Sequence, residues 1–405
     1  MTSLIAWLDA SSEEQRRMRE IIRLFSDRES RDELGLGQIR DALSDGLFPG
    51  TSTLHTRARY ALFVPWTYMI AARHHSPEAE ADRLQRKLIG ALRDSDDHSG
   101  LLGLQAGVGL KTLPSSIYWS MLRRFEILVD PDMAPSGALA FDGTPLPADL
   151  LDGPSEASAR AWSPTIPAPP AGFPAAVHGG FALTADEAGW LRDRILDAVP
   201  GTLLAHLMVH APDAGSDAPW TDSAALAASG DAKDLLDHAR RFSAVIHGAQ
   251  LLYNTMLAEQ YESAGFDRLP PSAEAYRDRF ARWAQTVGGA AGLADWDVDA
   301  LLARVSAIRG RPPHPRTTQF TREWTETVRS ARDGLSVDDP SARAIIHRRE
   351  RQTKGAQARL HNLRRLQTWG GASAARALTF RWPNVHRLAR DIHDGLSREQ
   401  ETHHA

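Results

Sequence analysis

A mostly α, multi-helical fold of two to three domains, with a proline-rich linker and room for minor β content, follows from three features of the sequence. Apolar residues recur at helical spacing between Gly and Pro breaks, helix-capping signals precede several of these runs, and no parallel-sheet pattern is evident. At 405 residues the chain is long enough to bury a core without metal or disulfide.

The elements follow in order. Residues 11–25 read as a helix, with Met18, Ile21, Ile22 and Phe25 at helical spacing and Ser11 or Ser12 as N-cap. GLGQIRDALSD continues the pattern, and FPGTS supplies a turn. The next helix, about 53–73, is apolar nearly all round, belongs in a core, and carries Pro65, which should kink it. Its lipid-like run, 61–72, is about a dozen residues against the about twenty a bilayer requires, so no membrane segment is expected. Residues 79–94 form an amphipathic helix, and LPSSIYWSMLRRFEIL a capped one with Ile117, Met121 and Phe125 four apart. These make an N-terminal helical domain, 1–130.

Ten of the 24 prolines fall between Pro131 and Pro174, which marks 131–180 as a Pro/Gly-rich linker. A central helical domain, 181–310, opens with a capping box, Thr184 to Glu187, and its helix stops at Pro200-Gly201. Its longest helix spans 231–265. There Leu235, Ala239, Phe242, Ile246, Ala249, Tyr253 and Met256 alternate steps of four and three along a seam that needs a partner helix.

The C-terminal region, 311–396, is helical and basic. The net charge of −4 hides twelve Lys/Arg against one acid, Glu350, between Ser341 and Arg390: that segment is +11 and the remainder −15. Taken as a helix, 344–369 puts Leu360, Leu363, Leu366 and Ala356 on one face and His347, Arg351, Lys354, His361 and Arg365 opposite. Gly355 interrupts its register. A further helix from Pro383 turns Val385, Leu388 and Ile392 inward. Trp369 and Trp382 punctuate the charges, as base-stacking residues or as core anchors. Three partners suit this skew: a nucleic acid, the acidic remainder of the same chain, or an acidic protein.

Composition and motifs narrow the chemistry. Zero cysteines exclude thiolate nucleophiles, cysteine-based zinc sites and disulfides, and fit a reducing cytoplasm. No basic leader precedes the N-terminal apolar patch, so a signal peptide is not expected and the location is read as cytoplasmic. GLQAGVGLKT lacks the Gly directly before Lys that a phosphate-binding loop requires, and reads as a glycine-rich turn before the Pro114 helix. His206 and His210 share a helix face at zinc-ligand spacing but have no accompanying Glu or third ligand. No nucleophile elbow occurs, and neither a cofactor nor a metal is expected.

In TSTLHTRARYALFVPW, Arg57 and Arg59 point about 200° apart on a helix and need different partners. Arg59 leads into the apolar run and is expected to pair with an upstream carboxylate among Asp32, Glu33, Asp41 and Asp45. Arg57 is the candidate for an external phosphate. The nucleic-acid-binding set is therefore Arg351, Lys354, Arg359, Arg364, Arg365, Arg376 and Arg381, with Arg57.

The stretches RDELGLGQIRDALSDGLFPGTSTLHTRARYALFVPWTY, LPSSIYWSMLRRFEI, LTADEAGWL and GAQARLHNLRRLQTWGG resemble the signature blocks of an uncharacterised bacterial domain-of-unknown-function family, numbered 6361. The resemblance brings no established activity or catalytic residues. It implies a phage-defence or mobile-element setting beside helicases and nucleases. The function expected is a non-catalytic nucleic-acid-binding accessory or adaptor of a bacterial phage-defence-type assembly, with DNA or RNA on the basic C-terminal region and a helicase or nuclease as candidate partner. The competing classes are a metal- or carboxylate-dependent hydrolase acting on nucleic acid, and a structural subunit docking on an acidic protein.

Overall fold

The computed structural model describes residues 32–95, 97–140, 161–266, 271–288, 293–331 and 334–402. The helix expected at 11–25 and the middle of the proline-rich stretch, 141–160, lie outside them. The described residues contain fifteen α-helices and no strand; their one isolated β-bridge joins Leu128 to Trp162. None of their helices is long and apolar enough to cross a membrane. The described residues divide between two compact units, each discontinuous in sequence: those up to Ala42 with His238–Leu378, and Leu43–Asp237 with the residues from Thr379 onward.

In the second of these units the helix Tyr60–Ala71 is the core, with Tyr60, Phe63 and Trp66 fully buried. It starts later than the sequence suggests. The backbone N–H groups of Thr56 and Arg57 donate to Tyr118 Oη at 2.8 and 3.1 Å, and that of Ala58 to Asp391 at 2.9 Å. Side chains from distant segments thereby hold the preceding residues out of the helix. Pro77–Arg93 and Pro114–Arg124 pack against it. The second half of the proline-rich stretch packs there too: Trp66 Nε1 donates to Pro167 O at 2.6 Å, and the Phe173 ring sits 5.8 Å from Phe63.

The capping box at Thr184 forms in full and opens the helix Ala185–Ala198, which packs on Trp382–Thr402. Val385, Leu388 and Ile392 of that last helix are buried, as their spacing requires. Arg59 is buried as expected, but its carboxylate is not upstream. Arg59 Nη2 donates to Glu187 at 2.9 Å, while Nη1 reaches the carbonyls of Gly180 and His178 at 2.7 and 3.0 Å. Glu187 is the acid of the capping box, so one carboxylate closes a helix end and neutralises the core arginine.

The spine of the other unit is the helix Gly230–Ser263 from His238 onward, and all seven seam residues of that helix are buried. Trp324 and Trp283, from the helices Pro315–Ser330 and Ala273–Gly288, pin it by donating to the carbonyls of Val245 and Ala244 at 2.9 and 2.7 Å. The continuous helix expected over 344–369 is broken. Pro340–Lys354 stops at Gly355, whose φ of +54° a side chain rarely adopts, and two 3₁₀ turns and a single helical turn, Leu363–Leu366, follow. Leu360 and Leu366 still face the core, whereas Ala356 is exposed and Leu363 is 56% exposed.

Candidate nucleic-acid interface

The break after Lys354 is built by carboxylates. Glu350 is fully buried and accepts from the backbone N–H groups of Arg359 and Leu360 at 2.7 and 3.1 Å, folding the chain back over the helix it has just left. Tyr253 donates to the same carboxylate at 2.6 Å. Burial first, and then the Glu350 charge, push the Tyr253 phenol above its ordinary range, so it stays a donor. Beside it the buried Glu33 takes Arg359 Nη1 on both oxygens at 2.7 Å and contacts Lys354 Nζ. Arg349 is also buried. It bonds the carbonyls of Leu34 and Gly35 at 2.6 and 2.8 Å, and burial lowers its pKa to about 10, which keeps it charged at neutral pH.

The reversal leaves an open cleft of about 1180 Å³ between the helix Pro340–Lys354, the turn Arg359–His361 and the end of the spine helix. Arg316, Arg343, Arg348 and Arg351 line it, with His347 and His361, whose ring centroids lie 4.3 Å apart. Arg343 is held by Glu259, the cleft's carboxylate, and lies 3.8 Å from Asp338; Arg348 is held by Glu323 at 2.5 Å. Arg316 and Arg351 are exposed and have no carboxylate partner among the described residues. Partial burial, the neighbouring His361 and the flanking arginines lower the His347 pKa, against the opposing pull of Glu350, so His347 is neutral at neutral pH. Among the described residues the cleft thus combines two positioned cations, two without a carboxylate partner and two imidazoles against one acid.

The structure divides the sequence-predicted set. Arg351 lines this cleft, and Arg364 and Arg365 are exposed on the helical turn that follows. Arg376 opens into a different pocket of the same unit. Lys354 and Arg359 are spent on Glu33. Arg57 and Arg381 belong to the other unit: Arg57 bonds both oxygens of Asp391 at 3.0 and 3.1 Å, contacts Asp97, and lies 4.7 Å over the Phe181 ring. Arg381 bonds Asp45 and the carbonyl of Thr51 at 2.7 and 2.8 Å. Trp369 and Trp382 are core residues, each donating within its own unit.

Arg316 carries no sequence signal of its own, because it lies outside the basic run and behind Pro315 at the start of a helix. His206 and His210 do lie against each other, tilted by 33° with ring centroids 4.4 Å apart, but His206 Nε2 is engaged by the carbonyl of Ala224 at 2.9 Å. Among the described residues no three His, Asp or Glu side chains converge as metal ligands would. Residues 103–112 form a turn with one short 3₁₀ stretch, Gly107–Gly109, ahead of Pro114–Arg124. A sequence model of a family of unknown function, number 6361, matches residues 2–395. No curated protein and no solved structure matches the chain.

Proposed function

We propose, for a chain that belongs to the family of unknown function numbered 6361, a nucleic-acid-binding function exercised through the arginine cleft. The observation that supports it is the pair of exposed guanidinium groups, Arg316 and Arg351, which have no carboxylate partner among the described residues and lie in an open cleft with two further arginines. Guanidinium forks match phosphate oxygens bidentately, and arginines already fixed by Glu259 and Glu323 lose little freedom when a phosphate arrives. At about 1180 Å³ the cleft exceeds the usual size of a small-molecule site, which suits a polymer backbone passing through it. Contacts of this kind position a nucleic acid without reading its bases. In this reading the chain is an accessory or adaptor that holds DNA or RNA for a helicase or nuclease partner, in the defence-type setting that the family resemblance implies.

The test is binding to single- and double-stranded DNA and RNA across a salt series. Wild type should bind with a log–log slope of about −0.9 per duplex phosphate or about −0.7 per single-strand phosphate neutralised. Arg316→Glu with Arg351→Glu should weaken binding to unrelated sequences alike and make the slope shallower by about 2, roughly one for each cation removed. No wild-type binding at low salt, or equal binding by the folded double variant, would overturn the proposal.

A further inference from the structure

A second basic pocket, of about 540 Å³, borders the same spine helix. His247 and Leu251 line it, and at 100° per residue they lie about 150° around the helix from the residues that border the first cleft. Arg279 and Arg282 reach it from Ala273–Gly288, three residues apart and therefore neighbours on that helix. Arg376 reaches it from the non-helical segment 371–378. All three arginines are exposed, and among the described residues none has a carboxylate partner and no acid lines the pocket. Apart from Thr286, the rest of its lining is apolar: Leu251, Trp283, Ala375 and Ala377.

The segment bearing Arg376 is fastened with unusual care. Ser243, His247, Gln250 and Asn254 follow steps of four, three and four, each one residue after the apolar seam. Ser243 donates to Leu378 O at 2.7 Å, and His247 Nε2 contacts Ala375 O at 3.4 Å. With its amide nitrogen facing the segment, Gln250 donates to the carbonyls of Ala374 and Arg376 at 3.3 and 3.2 Å. Asn254 both donates to and accepts from the Ser373 backbone, at 2.7 and 2.8 Å. Ala374 is held at a φ of +49°. Ser243, Gln250 and Asn254 are buried, and buried polar groups cost stability unless every one is bonded. Packing alone would be met by apolar residues; fixed carbonyls fix where Arg376 stands.

We propose that this pocket is a binding site for a small nucleoside phosphate, separate from the nucleic-acid cleft. The three guanidinium groups bordering the pocket take the phosphate and its apolar lining takes the nucleoside, within the volume usual for small-ligand sites. Calorimetry on the full chain with a nucleoside monophosphate, the parent nucleoside and inorganic phosphate tests it. The monophosphate should bind, and at least tenfold more tightly than either fragment. Arg282→Gln with Arg376→Gln should weaken it at least tenfold, and Arg316→Gln with Arg351→Gln should leave it unchanged. If the first pair fails to fold, Arg279→Gln alone should still weaken binding. The proposal falls if wild type binds no nucleoside monophosphate, if phosphate alone binds as well, if a folded pocket variant binds normally, or if the cleft variant loses binding equally.

Discussion

Replacing Glu33 by Gln keeps the shape of the side chain and removes the carboxylate that pairs with both the Lys354 and the Arg359 side chains. Two cations would then sit side by side against a neutral amide. Breaking a buried ion pair costs about 3–5 kcal/mol, but Lys354 and Arg359 retain 16% and 19% of their side-chain exposure, so water screens part of the loss. The expected destabilisation is about 2–3 kcal/mol. With a urea dependence of about 2 kcal/mol per molar, the unfolding midpoint should fall by about 1 M. Amide exchange at Arg359 and Leu360 should also quicken, because the turn that Glu350 caps loses its second anchor. Adding Lys354→Met should recover part of the midpoint, since one of the two stranded charges disappears. A midpoint within about 0.2 M of wild type would refute the reasoning, and would return Lys354 and Arg359 to the set of cations open to an external phosphate.

Two further outcomes follow in the other unit. Arg59→Ala should strand Glu187 and two carbonyls, lowering stability by about 3 kcal/mol and the melting temperature by about 6–12 °C, whereas an unchanged melting curve would mean that the pair contributes nothing. His55 is stacked on Tyr118 with Nε2 against Ile117 O at 3.0 Å, and burial lowers its pKa from 6.5 to about 4. Its folded value is depressed, so the unfolded chain takes the proton first; stability holds above pH 6.5 and falls by up to about 3 kcal/mol as pH drops towards 4. Denaturation at pH 7.5 and 4.5 should show that His55→Gln loses less on acidification than wild type, and parallel losses would remove His55 as the cause.

What the sequence made legible was local. The capping box at Thr184, the seam from Leu235 to Met256 and the inward Val385, Leu388 and Ile392 each depend on neighbours three or four residues away, and each appears as read. What it concealed was distant. Arg59 finds Glu187, 128 residues on, Arg359 finds Glu33 across 326, and Arg57 finds Asp391 across 334. Helical periodicity carries no record of such pairs, and two units that are each discontinuous in sequence leave no composition boundary at their edges. The break at Gly355 was visible as a glycine, but the direction the chain takes afterwards is set by Glu350, the single acid in a run of twelve bases.

Carboxylates from outside the run explain why charge counting overstates a binding face. In the basic segment Arg343, Arg348, Lys354, Arg359, Arg381 and Arg390 each contact a carboxylate, and Arg349 is buried among carbonyls. The excess positive charge of the segment and the excess negative charge of the remainder are therefore partly the same interaction seen twice. A surface for an external anion has to be sought among the cations left over, and these do not form one stripe: Arg351 borders the cleft that Arg316 enters from another helix, and Arg376 borders the pocket of Arg279 and Arg282. Two of the pocket's three arginines, and one of the two in the cleft that lack a carboxylate partner among the described residues, come from outside the basic run. The informative sequence feature was accordingly not the run but the polar residues one step beyond the apolar seam, above all Ser243, Gln250 and Asn254, whose burial makes sense only if an irregular segment must be held in place.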